Sequence, residues 1–289
     1  MKLKKTGHIL ALFTIFFWGT TYISTKVLLV DFQPIEILLI RFLMGYLGLC
    51  VLCPTPAKKQ SFSCELLLAM GGWSGITIYY LLENISLQYT TASNVGIIIA
   101  IAPCLTAILS RLFLKGQETL KPIFFLGFVI AMAGILLIHY NGTRMHLNPL
   151  GDFLAICASV AWAVYSIFSK KVANLPMTTL QATRRIFLYG ILAMIPGFIV
   201  MQGRLDPALI VEPVNGLNLL FLGFGASALC FVLWNEAVKR IGAIQTSVYI
   251  YLTPVVTVTT SVLILSEPVT WMEVVGIVLT MVGLILSNK

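Results

Sequence analysis

Charge is scarce in this sequence. Asp, Glu, Lys and Arg together make up 10% of its 289 residues, where a soluble domain carries roughly 25%. That shortage excludes a soluble globular protein. With hydrophobic residues at 58% and a mean hydropathy of +0.95, it defines an integral membrane protein. Acidic residues are the scarcest charged class, 11 against 19 Lys and Arg. In a membrane protein such an excess reports orientation, so it does not call for nucleic acid. Histidine occurs three times, at His8, His139 and His146, scattered toward expected span ends, which argues against a metal centre. The six cysteines lie mostly inside apolar runs. Cys50 and Cys53 form a lone CxxC with no partner pair, so they read as small membrane-core residues and not as zinc or redox ligands. There is no HExxH, P-loop, nucleophile elbow or paired-aspartate motif. No catalytic residue, cofactor or metal is therefore expected.

What the sequence does have is long apolar runs without strand-like alternation. Such runs are helices, because every backbone polar group must be paired where water is absent. Ten segments can be marked, at about 7–30, 34–53, 65–86, 91–114, 122–140, 149–172, 177–202, 214–237, 241–266 and 270–287. The longer connections carry turn signals, "CPTPAKKQS", "YNGTRMHLNP" and "QGRLDP". Lys2, Lys4 and Lys5 precede the first run with no small-residue cleavage site after it, so a retained first helix is expected. With the N-terminus inside, only Lys26, Arg41, Arg144 and Arg204 of the 19 basic residues fall outside. This positive-inside bias predicts cytoplasmic N- and C-termini.

The chain also repeats itself. Gly7, Trp18, Lys26 and Arg41 recur as Gly151, Trp162, Lys170 and Arg185 at offset 144. Asn84, Asn94 and Pro103 recur as Asn235, Gln245 and Pro254 at offset 151. Glu118, Gly127 and Gly134 recur as Glu267, Gly276 and Gly283 at offset 149. Residues 1–144 and 145–289 thus read as two five-helix units. An odd helix number inserts the second upside down, an inverted-topology repeat typical of transporters.

The duplicated unit, with "W…K" in its first helix, an Arg early in its second and "P…E…G…G" across its last two, resembles the EamA domain. The drug/metabolite transporter superfamily is built from two such domains, and the resemblance covers essentially the whole chain. "LWNEAVKRIGAIQTSVYIYLTPVVTVTTSVLILSEPVTWMEVVGIVLTMVGLIL" is the more typical copy; in the first half "LKGQETLKP" displaces the glutamate by two positions. The resemblance implies an all-α, ten-helix inner-membrane carrier of small organic metabolites, often an exporter. It leaves the substrate open, since related members handle amino acids, nucleotide-derived compounds, sugars and drugs.

Polar residues inside apolar helices point to a cavity, because polar faces in hydrocarbon must turn toward protein or water. Trp18 and Tyr22 share a face of the first helix with Lys26, alongside Thr21 and Thr25. Trp162, Tyr165 and Ser169 make a similar face on the sixth helix. Tyr79, Tyr80 and Glu83 on the third, Ser227, Trp234 and Asn235 on the eighth, and Gln245 and Tyr249 on the ninth complete the set. The expectation is an aromatic-walled cavity, with Asn94 and Gln245 orienting the polar end of a solute. The alternative makes the rings interfacial belts and the hydroxyls packing contacts. Pro103 and Pro254 are candidate hinges, since proline removes a helix hydrogen bond, although fixed kinks would need the same residues. The glycines of the fifth and tenth helices read as close-packing faces.

Two charge gates complete the reading, an outer one of Lys26, Arg41 and Glu83 and an inner one of Lys170, Arg185 and Glu236. Snorkelling to the headgroups is the competing account. Aromatic faces attract ammonium groups, and the basic residues sit nearer the helix ends than phosphate recognition at mid-depth would want. The expected solute is therefore an amino acid or a small amphipathic or cationic compound. It would be moved by alternating access across a bacterial inner membrane, with a proton as a candidate coupling ion. The alternatives are an intramembrane enzyme acting on a lipid-linked substrate and a non-transporting membrane subunit.

Overall fold

The computed structural model describes residues 2–55, 60–114, 120–140, 148–256, 259 and 270–288. Among these the secondary structure is helical throughout. Eight helices are long and apolar enough to cross a membrane: α1 (Lys4–Leu28), α2 (Pro34–Leu52), α3 (Phe62–Tyr89), α4 (Asn94–Phe113), α5 (Pro122–His139), α6 (Pro149–Val172), α7 (Thr179–Val200) and α8 (Pro213–Ile241). Two shorter apolar helices follow, α9 (Ala243–Val256) and α10 (Trp271–Ser287). The expected ninth span to residue 266 runs beyond the described residues. Lys58, Lys59, Glu118, Arg144 and Glu267 also lie outside them.

Local chemistry explains where the helices begin. Pro34, Pro122, Pro149 and Pro213 each occupy the first turn of a helix, where a missing N–H costs nothing. Thr178 with Gln181 and Thr270 with Glu273 form reciprocal capping boxes that open α7 and α10. Between α8 and α9 the chain turns at Gly242, whose φ of 95° suits a residue without Cβ.

Packing across the chain is reciprocal. The C-terminal part of α3 lies against α6, and the C-terminal part of α8 lies against α1. Likewise α7 packs on α3 and α2 packs on α8. Both of these crossings are closed by glycine. A Cβ on Gly72 would come 2.5 Å from the Ile186 carbonyl oxygen, and one on Gly45 would come 3.0 Å from the Gly223 carbonyl oxygen. The most closely packed pair among the described helices, α5 with α10, brings Gly127, Ala131 and Gly134 against Gly276, Thr280 and Gly283. Its outer faces carry exposed Val129, Leu126, Val274, Val278 and Ile285, as lipid-facing surfaces do.

Both α3 and α8 widen in mid-course. Residues Trp73–Ile78 and Phe221–Leu229 form π-helical turns with i→i+5 bonding, a feature that recurs at functional sites. The helix α4 breaks at residues 100–101, just before Pro103, and α9 tightens to a 3-10 turn at Val248–Tyr251, just before Pro254. Both prolines therefore sit at local departures from α-helical geometry, as a missing backbone donor requires.

Candidate functional site

At mid-length of α1 and α6, side chains from four helices converge on an aromatic cluster. The Trp18 ring lies 5.2 Å from Trp162 and 5.0 Å from Trp234, centroid to centroid. Tyr79 reaches Trp162 at 4.8 Å, and Tyr165 reaches the same ring at 5.1 Å. These spacings are those of favourable ring pairs. Their donors are treated unequally. Trp18 Nε1 donates to the Ala226 carbonyl at 2.9 Å, inside the widened turn of α8. Trp162 Nε1 and Trp234 Nε1 are buried with no hydrogen-bond partner.

Beside the cluster lies a cavity of about 30 Å³, walled by Trp18, Tyr22, Tyr79, Tyr80, Trp162 and Glu83 with residues of α4 and α9. Such a volume has room for water and not for an organic solute. The Tyr79 hydroxyl donates to Glu83 Oε1 at 2.9 Å. On the far side of Tyr165, its hydroxyl donates to Asn235 Oδ1 (2.6 Å), as does Ser169 (2.7 Å), while Asn235 Nδ2 donates to Thr183 Oγ1 (3.0 Å). This network ties α6, α7 and α8 together.

The structure thus brings together Trp18, Tyr22, Tyr79, Trp162, Tyr165, Trp234 and Asn235. Three other expected ligands lie elsewhere. Asn94 begins α4 and donates to Thr90 (2.9 Å) and to Asp152. Tyr249 meets His8 Nδ1 at 2.8 Å. Gln245 lines a separate cavity of about 390 Å³ at the end of the molecule where both termini lie, together with Lys4, Lys121, Lys170 and Arg240. Equivalence in the repeat did not give Asn94 and Gln245 equivalent surroundings, because one is held by Thr90 and Asp152 and the other lines a vestibule.

The charge sets are also redistributed. Arg185 on α7 pairs with Glu65 on α3, which also accepts from Tyr189 at 2.8 Å. Glu236 pairs with Arg240 one turn along its own helix, at 2.7 Å, and accepts from Thr179. Two of the inner set, Arg185 and Glu236, thus have ion-pair partners outside that set. At the other end Lys26 is exposed, whereas Arg41 and Glu83 are buried.

Several cluster members escaped the sequence reading. Phe42, Phe187 and Phe231 pack into it, Phe231 lying 5.5 Å from Trp18 and 5.8 Å from Tyr165. A phenylalanine in an apolar helix carries no distinguishing signal. The widened turns did leave one, the glycine-rich stretches 71–75 ("GGWSG") and 223–227 ("GFGAS"), with Gly72 and Gly223 matched at offset 151.

A bundle of this hydropathy, with eight helices long and apolar enough to cross a membrane, is a multi-pass membrane protein. The profile of the EamA-like transporter family matches residues 5–140 and again residues 149–289. The chain belongs to that family, and it is a transporter and not an enzyme. An "Uncharacterized transporter" of Archaeoglobus fulgidus is 29% identical over 287 residues, covering 97% of this chain and 96% of the relative. The "Uncharacterized transporter YyaM" of Bacillus subtilis is 29% identical, covering 94% and 90%. A "Probable terminal-alkyne amino-acid exporter" of Streptantibioticus cattleyicolor is 24% identical, covering all of this chain and 95% of the relative. A crystal structure superposes with a TM-score of 0.80 at 18% identity, covering 98% of this chain and 96% of that one, which shows a common fold.

Proposed function

We propose that this chain is a secondary transporter, working as an exporter, of an amino acid or a small amphipathic or cationic organic compound. Residues 1–144 and 145–289 act as inverted repeats that rock about the solute. The observation that carries this reading is the aromatic cluster, whose rings come from α1 and α3 on one side and α6 and α8 on the other. A solute held there touches both moving parts. The unpartnered Trp162 and Trp234 N–H groups supply donors that a solute would satisfy. Similarity to a named amino-acid exporter is further support.

The test is flux by the purified protein in proteoliposomes, against a metabolite panel. Trp18→Ala and Trp162→Ala are each expected to cut transport at least tenfold with membrane insertion intact, and a sugar phosphate should fail to compete. Wild-type rates in both variants would reduce the cluster to packing. A protonophore that abolishes flux would identify a proton as the coupling ion.

Both termini line one vestibule, through Lys4 and Asn288, and from the charge bias we infer that this end faces the cytoplasm. Single cysteines at positions 59 and 144, in a cysteine-depleted background, are expected to differ in labelling by an impermeant thiol reagent added to whole cells. Position 144 should label and position 59 should not. The opposite pattern would invert the orientation.

A further inference from the structure

Arg41 sits deeper than its place in the second helix suggested. It is 0% exposed, and its Nε donates to Ser227 Oγ at 3.0 Å. Its Nη1 and Nη2 have no hydrogen-bond partner. The planar fork that suits a carboxylate in two parallel bonds is therefore buried and unused. Its guanidinium carbon lies 4.6 Å from the centroid of Tyr80 and 5.1 Å from that of Phe42. Ring faces replace only part of the hydration that a buried cation gives up.

Tyr80 also walls the small cavity, and Glu83 lines the same cavity at 6% exposure, with the hydroxyls of Tyr79 and Tyr22 directed to its carboxylate. Glu83 forms no ion pair with Lys26, which is exposed. Arg41, whose fork is unpaired, is not bonded to it either. One positive and one negative group thus lie close to the same tyrosine, Arg41 against its ring and Glu83 in the cavity it walls.

We propose that Arg41 and Glu83 are the two poles of a site for a zwitterion. The solute carboxylate is taken by the Arg41 fork, and its ammonium group by Glu83 within the rings of Tyr22, Tyr79 and Trp162. The chemical class is the α-amino acid, with the two charged groups on one carbon. This rests on the transport reading above and narrows its solute. Charge balance decides the class. Arg41 and Glu83 cancel, so a zwitterion enters without adding net charge to a low-dielectric interior, whereas an amine alone or an acid alone leaves one buried charge uncompensated. Tyr80 lines the cavity and contacts Arg41, and on this proposal its movement joins the two. Tyr80 is the second residue after the widened turn Trp73–Ile78, where the backbone departs from α-helical bonding.

The experiment titrates the detergent-solubilised full chain with matched probes and reads the fluorescence of the clustered tryptophans. One set is L-leucine, isopentylamine and 4-methylpentanoate; the other is L-phenylalanine, phenethylamine and 3-phenylpropionate. The amino acid of at least one set is expected to saturate, with its amine and acid counterparts at least tenfold weaker. Glu83→Gln should lower that preference over the acid, and Arg41→Gln should lower the preference over the amine. Should Arg41→Gln fail to elute as a single folded species, Arg41→Lys keeps the charge without the fork and should still weaken the amino acid about tenfold. An amine that binds as tightly as its amino acid overturns the proposal, as does a set of titrations with no saturation. In either case the flux results for Trp18→Ala and Trp162→Ala stand separately and decide the cavity reading.

Discussion

Gly283→Ala is expected to deprive the protein of its folded form in detergent, although it adds a single methyl group. The new Cβ would lie 2.4 Å from the Ala131 nitrogen and 2.6 Å from the Gly127 carbonyl oxygen. These are backbone atoms, so no rotamer change relieves the clash, and α10 must move away from α5. Overpacking in cores costs about 1–3 kcal/mol and more where the neighbours cannot yield. The same pair of helices would open again at Gly127→Ala, where the Cβ meets the Ser287 nitrogen at 2.6 Å. Gly96→Ala is the control. Nothing lies within 4 Å of its Cβ, and alanine gains up to about 1 kcal/mol over glycine in a helix. Thermal unfolding followed by size-exclusion chromatography should show the first two variants aggregating and the third unchanged or more stable. Comparable behaviour in all three would mean that α5 and α10 are not packed this closely.

Those glycines were legible in the sequence because close packing between apolar helices depends on small residues at regular spacing. The helix boundaries were legible too. Hydropathy located α6 at residues 149–172, and the proline at its start fixes the same boundary in the structure. Arg41 was harder to read. Eight residues into α2, it stands where a long side chain could snorkel to the headgroups. What buries it is the crossing of α8, whose widened turn brings Ser227 to its Nε, and no linear pattern reports a crossing. The partners of the inner charges were hard to read for a related reason. Offset 144 links Arg185 to Arg41, but a repeat predicts equivalent positions and not equivalent partners. Glu65, which pairs with Arg185, has no acidic counterpart at either main offset, since positions 209 and 216 are Leu209 and Gly216. The tryptophans and tyrosines were recognisable as a stripe because they interrupt hydrocarbon with polar edges. Phe231, without such an edge, was not.

Asn235 and Asn84, equivalent at offset 151, are expected to respond to substitution with opposite signs. Asn235 is fully engaged, accepting from Tyr165 and Ser169 and donating to Thr183. Asn235→Ala leaves three hydroxyl groups short of a partner in a buried site. Hydrogen bonds between membrane helices average about 0.6 kcal/mol each and reach about 1.7, so a loss of roughly 2–4 kcal/mol is expected. Asn84 is 0% exposed, and both polar atoms of its side chain lack partners. A buried polar group left unmade costs about 1–3 kcal/mol, and an apolar residue of similar size removes that penalty. Asn84→Leu should therefore hold or raise the unfolding temperature in detergent, while Asn235→Ala lowers it by several degrees. An asparagine kept at such a cost is expected to find its partners when the helices rearrange. On that account Asn84→Leu should also slow turnover in proteoliposomes, despite its greater stability. If Asn84→Leu destabilises as much as Asn235→Ala does, Asn84 is already satisfied in the conformation described here, and the two asparagines are equivalent after all.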